Sequence, residues 1–177
     1  MVQTSRDMAI AHAIHLSALV NDEPGSMAFY RETFANHPKQ FVTYKDLAKK
    51  GDLLGQDALR ALGLRANTKL SAQFVATLNE KGRADPLGAA TVIGLAISTA
   101  IGTSRDLARM ASAGIDLVQF HASNMAAGPC AAAAELHGQT IALANAPMLP
   151  FVGCAHPDQC GCIYQARLSF LDRQRID

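Results

Sequence analysis

Residues 128–162, GPCAAAAELHGQTIALANAPMLPFVGCAHPDQCGC, carry all four cysteines of a 177-residue chain, at Cys130, Cys154, Cys160 and Cys162. The 129 residues before Cys130 contain none. Where no secretory signal precedes them, a reducing compartment is the default, and clustered thiols there serve metal binding or catalysis more often than disulfides. Cys160 and Cys162 are separated by one residue, a spacing awkward for a mutual disulfide but workable for two thiolates on one ion. Zinc takes four soft or borderline ligands, with thiolate sulfur at about 2.3 Å. One loop supplies Cys154, His156, Cys160 and Cys162, and a distant Cys130 closes the site. These are five candidates for four places, and the preferred ligand set is Cys130, Cys154, Cys160 and Cys162, with His156 as the alternate.

The same stretch carries its own structural punctuation. Gly128-Pro129 starts a helix over Cys130–His137, with Cys130 in its first turn, where exposed amides and the helix dipole favour a thiolate. Gly138 ends that helix. Gln139–Leu143 reads as a strand, and Ala146-Pro147-Met148-Leu149-Pro150 turns the chain back towards Cys154. About 30 residues cannot bury enough surface to fold alone. Metal free energy, on the order of 10 kcal/mol in zinc-finger peptides, is then a main stabiliser.

The run Cys130…Leu136-His137-Gly138-Gln139…Pro147…Pro150…His156-Pro157…Cys160-Gly161-Cys162 resembles the C-terminal motif of phage minor head (Mu F-like head morphogenesis) proteins. That motif has a Cys-x-x-Cys, a Leu-x-Gly-Lys-like turn, a proline-rich hairpin and then His-Pro-x-Cys-x-Cys. Here the second cysteine of the first pair is Ala133, and one extra residue separates Pro157 from Cys160; Cys154 stands in for the missing ligand. A looser likeness is to small bacterial proteins that end in a similar Cys-x-Cys pattern. The resemblance spans about forty residues and implies metal binding, with a phage or prophage assembly role as its further implication.

Working outward, helix caps and stops divide the upstream chain into seven helical segments. They are Arg6–Val20, a helix capped by Ser26 and stopped at Asn36 by His37-Pro38, and a short helix from Thr43 to Lys50. Gly55–Leu62, ended by Gly63, comes next, followed by a longer helix from Asn67 or Thr68 to Lys81 with Gly82 as its left-handed C-cap. Asp85-Pro86 opens an apolar helix that carries no charge through Ser104, and Thr103 or Ser104 caps a final one over Arg105–Ala113, ended by Gly114. Ile115–His121 then alternates apolar and polar, as a strand with one buried face does. Abundant Ala, no Trp and few aromatics suit closely packed helices. The expected fold is mainly α (α+β): an N-terminal helical bundle over residues 1–114, and a small strand-containing zinc-binding module over 115–177 packed on it.

Composition narrows the function classes. A net charge of +1 excludes a global field for nucleic acid or anionic lipid. Residues 31–83 hold ten Lys or Arg against five Asp or Glu, a basic stretch that reads as a solvated face. The apolar run Ala9–Val20 is broken by His12 and His15 and preceded by Asp7, so it does not read as a signal. The glycines, serines and threonines of 86–104 favour a buried helix over a membrane span.

Three further constellations stand beside the metal reading. Cys130 at a helix start can be a nucleophile, with His121 or His137 as base and Asn124 or Asn145 orienting it. His12 and His15, three residues apart with Asp22 and Glu23 beyond, have a metal-holding spacing. Val42–Ala48 followed by Gln56–Leu62 has the outline of a helix-turn-helix carrying Lys49, Lys50 and Arg60. The leading expectation is a zinc-stabilised structural or interaction protein, cytoplasmic, working with a protein partner or by self-association and without a membrane. A thiol-dependent enzyme using Cys130 and a nucleic-acid-binding module are the alternatives.

Overall fold

The computed structural model describes residues 5–35, 42–123 and 128–168. The expected stop at Asn36–Pro38, and Asn124, lie outside them. The chain is mainly helical with one small antiparallel sheet, in the order α1 Ser5–Ser17, α2 Pro24–Ala35, α3 Tyr44–Ala48, α4 Gln56–Ala61, α5 Ala72–Ala76, α6 Glu80–Ala84, α7 Pro86–Ser112, β1 Leu117–His121, α8 Ala131–Leu136, β2 Thr140–Ala142 and β3 Ile163–Arg167.

α7 is the axis of the fold. Asp85 caps it by accepting the Gly88 N–H at 2.9 Å, and Pro86 occupies the first turn, as the sequence implies. Its buried positions Pro86, Ala90, Ile93, Ile97 and Ala100 recur at helical spacing and form one inner stripe. α1, α3 and α6 pack on this helix, and small side chains let them come close. At Gly94 the backbone of Tyr44 in α3 is near enough that an added Cβ would lie 3.5 Å from its Cα. Leu87 and Leu95 lie on the outer face and are exposed. The separate helix expected over Arg105–Ala113 does not exist: α7 runs unbroken for 27 residues. No proline interrupts it, and hydroxyls able to cap a new helix bond back into this one, as Ser98 does to Gly94 O at 2.8 Å and Ser112 to Ala108 O at 2.9 Å.

The single helix expected from residue 67 or 68 to Lys81 is also corrected. Ser71 pairs with Leu53 in an isolated bridge and caps α5 by accepting the Phe74 N–H at 3.0 Å. Asn79 then donates its backbone N–H to Leu19 O at 3.0 Å and caps α6 through the Gly82 N–H at 3.0 Å. These contacts, of Ser71 with the α3–α4 connection and of Asn79 with the α1–α2 connection, break the helix, and tertiary hydrogen bonds outweigh local propensity. Gly82 is therefore not a C-cap; it is buried inside α6, where a Cβ would run into the Leu19 carbonyl oxygen.

Smaller differences have similar causes. α1 ends at Ser17, because Ala18 takes a positive φ of 51° and Val20 pairs with Leu78. Ser26 does not cap α2, which starts at Pro24; its hydroxyl donates to the Asn21 side chain instead. Thr43 does cap α3, in a reciprocal capping box with Asp46. Gly63, Gly114 and Gly138 end their helices as expected, and they do so in the left-handed region at φ near 70–80°.

The sheet has strand order β2-β1-β3, both neighbours antiparallel to β1. β1 buries Val118 and Phe120, the alternation expected of it. β2 pairs with β1, not with the segment returning to Cys154, and β3 has no counterpart in the sequence reading. Two buried clusters result. The larger gathers bundle residues from Ala9 to Ala100, with Met148 against it. The smaller gathers Phe120, Ala133, Leu149, Phe151 and Cys162 beneath the sheet. The two parts are in contact, since the turn at Pro157–Gln159 and β3 both lie on α7.

Candidate metal centre

The register of β1 and β3 sets the site. His121 is paired with Ile163, so the residues leaving β1 and those entering β3 meet at one end of the sheet. Cys162 is the last residue before β3 and is 8% exposed. Cys160 ends the 3-10 turn Pro157–Gln159. Cys154 closes a turn in which its N–H donates to Phe151 O at 3.0 Å, with Gly153 at a φ of 80°. Cys130 is the N-cap of α8, in extended backbone at φ −68° and ψ 163°. It is thus just outside the helix, one position from the first-turn placement expected of it, and its side chain makes no capping bond.

These four thiols, three from the 154–162 loop and one from the start of α8, line one pocket of about 20 Å³ together with Ser123, Pro129, His156 and Gln159. The Cys130 sulfur is near enough to Cys154 to add to the upward push on its thiol. The backbone N–H of His156 is directed to the Cys154 sulfur, and that of Cys162 to the Cys160 sulfur. Both arrangements favour a thiolate. Burial works the other way and is larger: it pushes the Cys154 thiol up and raises Cys160 to about 12, with the neighbouring sulfurs adding to both. All four cysteines are free of disulfides. Among the described residues, no group of three or more His, Cys, Asp or Glu side chains stands already set to hold a metal ion.

The expected bases of a thiol enzyme are elsewhere. Neither His121 nor His137 lines this pocket. His137 Nδ1 accepts the Ala122 N–H at 3.1 Å, and the two imidazoles meet edge to face at 6.1 Å. Asn145 lies in an exposed turn following β2. His12 and His15 part company as well. His12 Nε2 donates to Pro150 O at 2.7 Å, tying α1 to the cysteine-bearing half. His15 instead lines a separate cavity of about 470 Å³ with Asp22 and Glu23. In the helix-turn-helix segment, α3 buries Leu47 and Ala48, α4 buries Leu59, and two of the three basic residues are paired. Lys50 meets Glu32 at 3.0 Å and Arg60 meets Asp57 at 3.1 Å.

No protein-family model, curated protein or solved structure matches the chain.

Proposed function

We propose that Cys130, Cys154, Cys160 and Cys162 hold one zinc ion, and that the chain is a structural or interaction protein whose sheet-containing part is stabilised by that ion. The observation carrying this reading is the single pocket that the three thiols of the 154–162 loop share with the more distant Cys130. A divalent cation there supplies the positive charge that lets clustered thiols ionise. The chain's own contribution is to bring the donors within reach: the Cys160–Cys162 turn by entering β3, Cys154 by its glycine turn, Cys130 by capping α8. The backbone N–H groups of His156 and Cys162 then remain as acceptor-seeking partners for two of the sulfurs.

Size separates this reading from the enzyme. A pocket of about 20 Å³ has room for one ion or water, whereas organic ligands occupy cavities of about 300–1,000 Å³. His156 also lines the pocket and remains the alternate ligand. The resemblance of the Cys/His run to phage minor head proteins supports descent from such an assembly protein. Protein partners or self-association, and a reducing cytoplasm, go with that reading.

The test is metal analysis of protein purified without added metal, beside single Cys-to-Ser variants. About one zinc per chain is expected, lost in each of C130S, C154S, C160S and C162S and kept in H156A. Metal retained in C130S would show the ligand set to be wrong. A metal-free protein with one hyper-reactive thiol at Cys130 towards iodoacetamide would replace the structural site with a nucleophile.

A further inference from the structure

A cavity of about 780 Å³ lies between the start of α1 and the C-terminal half of α7, and no cysteine lines it. Its α7 wall is a single helical stripe that includes Ile101, Arg105, Ala108 and Arg109, and Arg6 of α1 faces them. Among the described residues no Asp or Glu lines it. The contrast with the cavity at the other end of α1 is direct, since Asp22 and Glu23 line that one and no Lys or Arg does.

The carboxylate nearest these arginines in sequence is Asp106, which bonds Arg105 Nε at 3.3 Å and Arg109 at 3.9 Å from outside the cavity. A guanidinium has five N–H donors in a fixed fork, so one carboxylate shared by two of them leaves most of their donors unused. Arg6 is held in place by donating to the Phe34 carbonyl. Asp7, next to it in sequence, reaches instead to Arg31 at 3.8 Å. The two helix ends offset one another, since the positive end of α1 meets the negative end of α7. The sign of the cavity is therefore decided by three guanidiniums against one carboxylate. Ile101, Ala108 and Ala113 make the floor apolar, a surface that a bare inorganic ion would leave uncovered.

We propose that this cavity binds a small organic anion, a phosphate monoester or carboxylate with an apolar body, its charged group on Arg105 and Arg109 and its body against Ile101 and Ala108. The volume fits such a molecule, within the range of about 300–1,000 Å³ for organic-ligand sites. The site is independent of the cysteines, so a failed zinc assignment leaves it standing.

The test is a titration of the isotope-labelled full chain, read by amide chemical shifts, with phenyl phosphate, benzoate, inorganic phosphate and phenol. Saturable shifts confined to Ser5–Arg6 and Ile101–Ala113 are expected with phenyl phosphate or benzoate, and the tighter of the two names the headgroup. Inorganic phosphate and phenol should each bind more weakly, and R105Q/R109Q should weaken binding at least about tenfold, the value of one charge-assisted hydrogen bond. R105K/R109K should recover part of it, and K50Q/R60Q should change nothing. No saturable shift at about 10 mM ligand, above the millimolar limit of weak binding, would overturn the proposal. So would affinity unchanged in R105Q/R109Q, or inorganic phosphate binding as tightly as phenyl phosphate.

Discussion

Among the described residues, twenty buried side chains from Ala9 to Ala100 form one cluster in the helical bundle, whereas five form the cluster beneath the sheet, and one of those five is Cys162. Each large apolar side chain buried contributes roughly 1.5–3 kcal/mol against the entropy of ordering. The bundle therefore has the means to hold itself together. The sheet half, with Phe120, Leu149 and Phe151 as its large members, has less burial of its own to draw on. Four thiols placed around one pocket at the end of that sheet are the available device.

The largest effect expected follows from withdrawing that device. A strong chelator should abolish hydrogen-exchange protection in β1, β2 and β3 while α1 and α7 keep theirs. On the zinc reading, the metal term removed is on the order of 10 kcal/mol. Uniform loss of protection in both halves, or none in either, would erase the contrast.

Truncation of a buried aromatic is next, at about 3–5 kcal/mol for either region. Phe120 is fully buried against Phe151 and Tyr164, with ring centroids at 5.2 and 5.5 Å; Phe74 is fully buried in the bundle. Phe120→Ala should unfold the sheet half and leave the helical circular dichroism largely intact, whereas Phe74→Ala should shift the cooperative helical melt.

Alkaline pH should separate the halves in the metal-free protein. A thiol or phenol held neutral by burial binds its proton in the folded state after the unfolded chain has released it. Stability is therefore full below the unfolded pKa and falls as pH rises above it. For Cys160 the fall starts near the ordinary thiol value of about 8.5 and runs to about 12. For Tyr30, pushed up by burial in the bundle, it starts only near about 10. Urea midpoints for the sheet half should drop first, and C160S should flatten that drop. With zinc bound the sign reverses, because protons compete with the metal and the site weakens as pH falls.

The smallest effects concern two glycines. At Gly94 an added Cβ meets Tyr44 and Leu47 at 3.5–3.7 Å, ordinary contact distances. Gly94→Ala should thus raise the thermal midpoint by the helix-propensity gain, about 0.8–1.0 kcal/mol. Gly82→Ala, facing the Leu19 carbonyl, should lower it. A destabilised Gly94→Ala would mean that the α3–α7 contact is tighter than drawn.

What could be read from the chain beforehand follows the range of the forces involved. Thr43 with Asp46, Asp85 with Pro86, and the glycines at 63, 114 and 138 act within one turn, so the residues themselves announce them. The break at Asn79 comes from a backbone bond to Leu19, sixty residues away, and no local pattern contains it. α7 was divided in reading because Thr103 and Ser104 look like caps, yet a hydroxyl also bonds well inside a helix. β3 went unread because Ile163–Arg167 is short and follows directly on the cysteines, although Ile163 and Tyr164 are residues that favour strands. The four cysteines were legible as a group, and their common pocket follows from the β1–β3 register, which the sequence alone did not reveal. The arginine cavity joins Arg6 to residues a hundred positions on, and only the packing of α1 on α7 brings them together.

The hydrogen bond from His12 to the Pro150 carbonyl spans 138 residues. Its consequence lies in biosynthesis. α1 is made well before α7, yet its apolar face is covered mainly by that helix and its imidazole is answered only at residue 150. At roughly 5–20 residues per second on the ribosome, Ile10 and Ile14 wait on the order of several seconds for α7, and His12 waits longer still. α1 therefore needs shielding in the nascent chain until α7 is made, and its bond to Pro150 signals that the cysteine-bearing half has arrived.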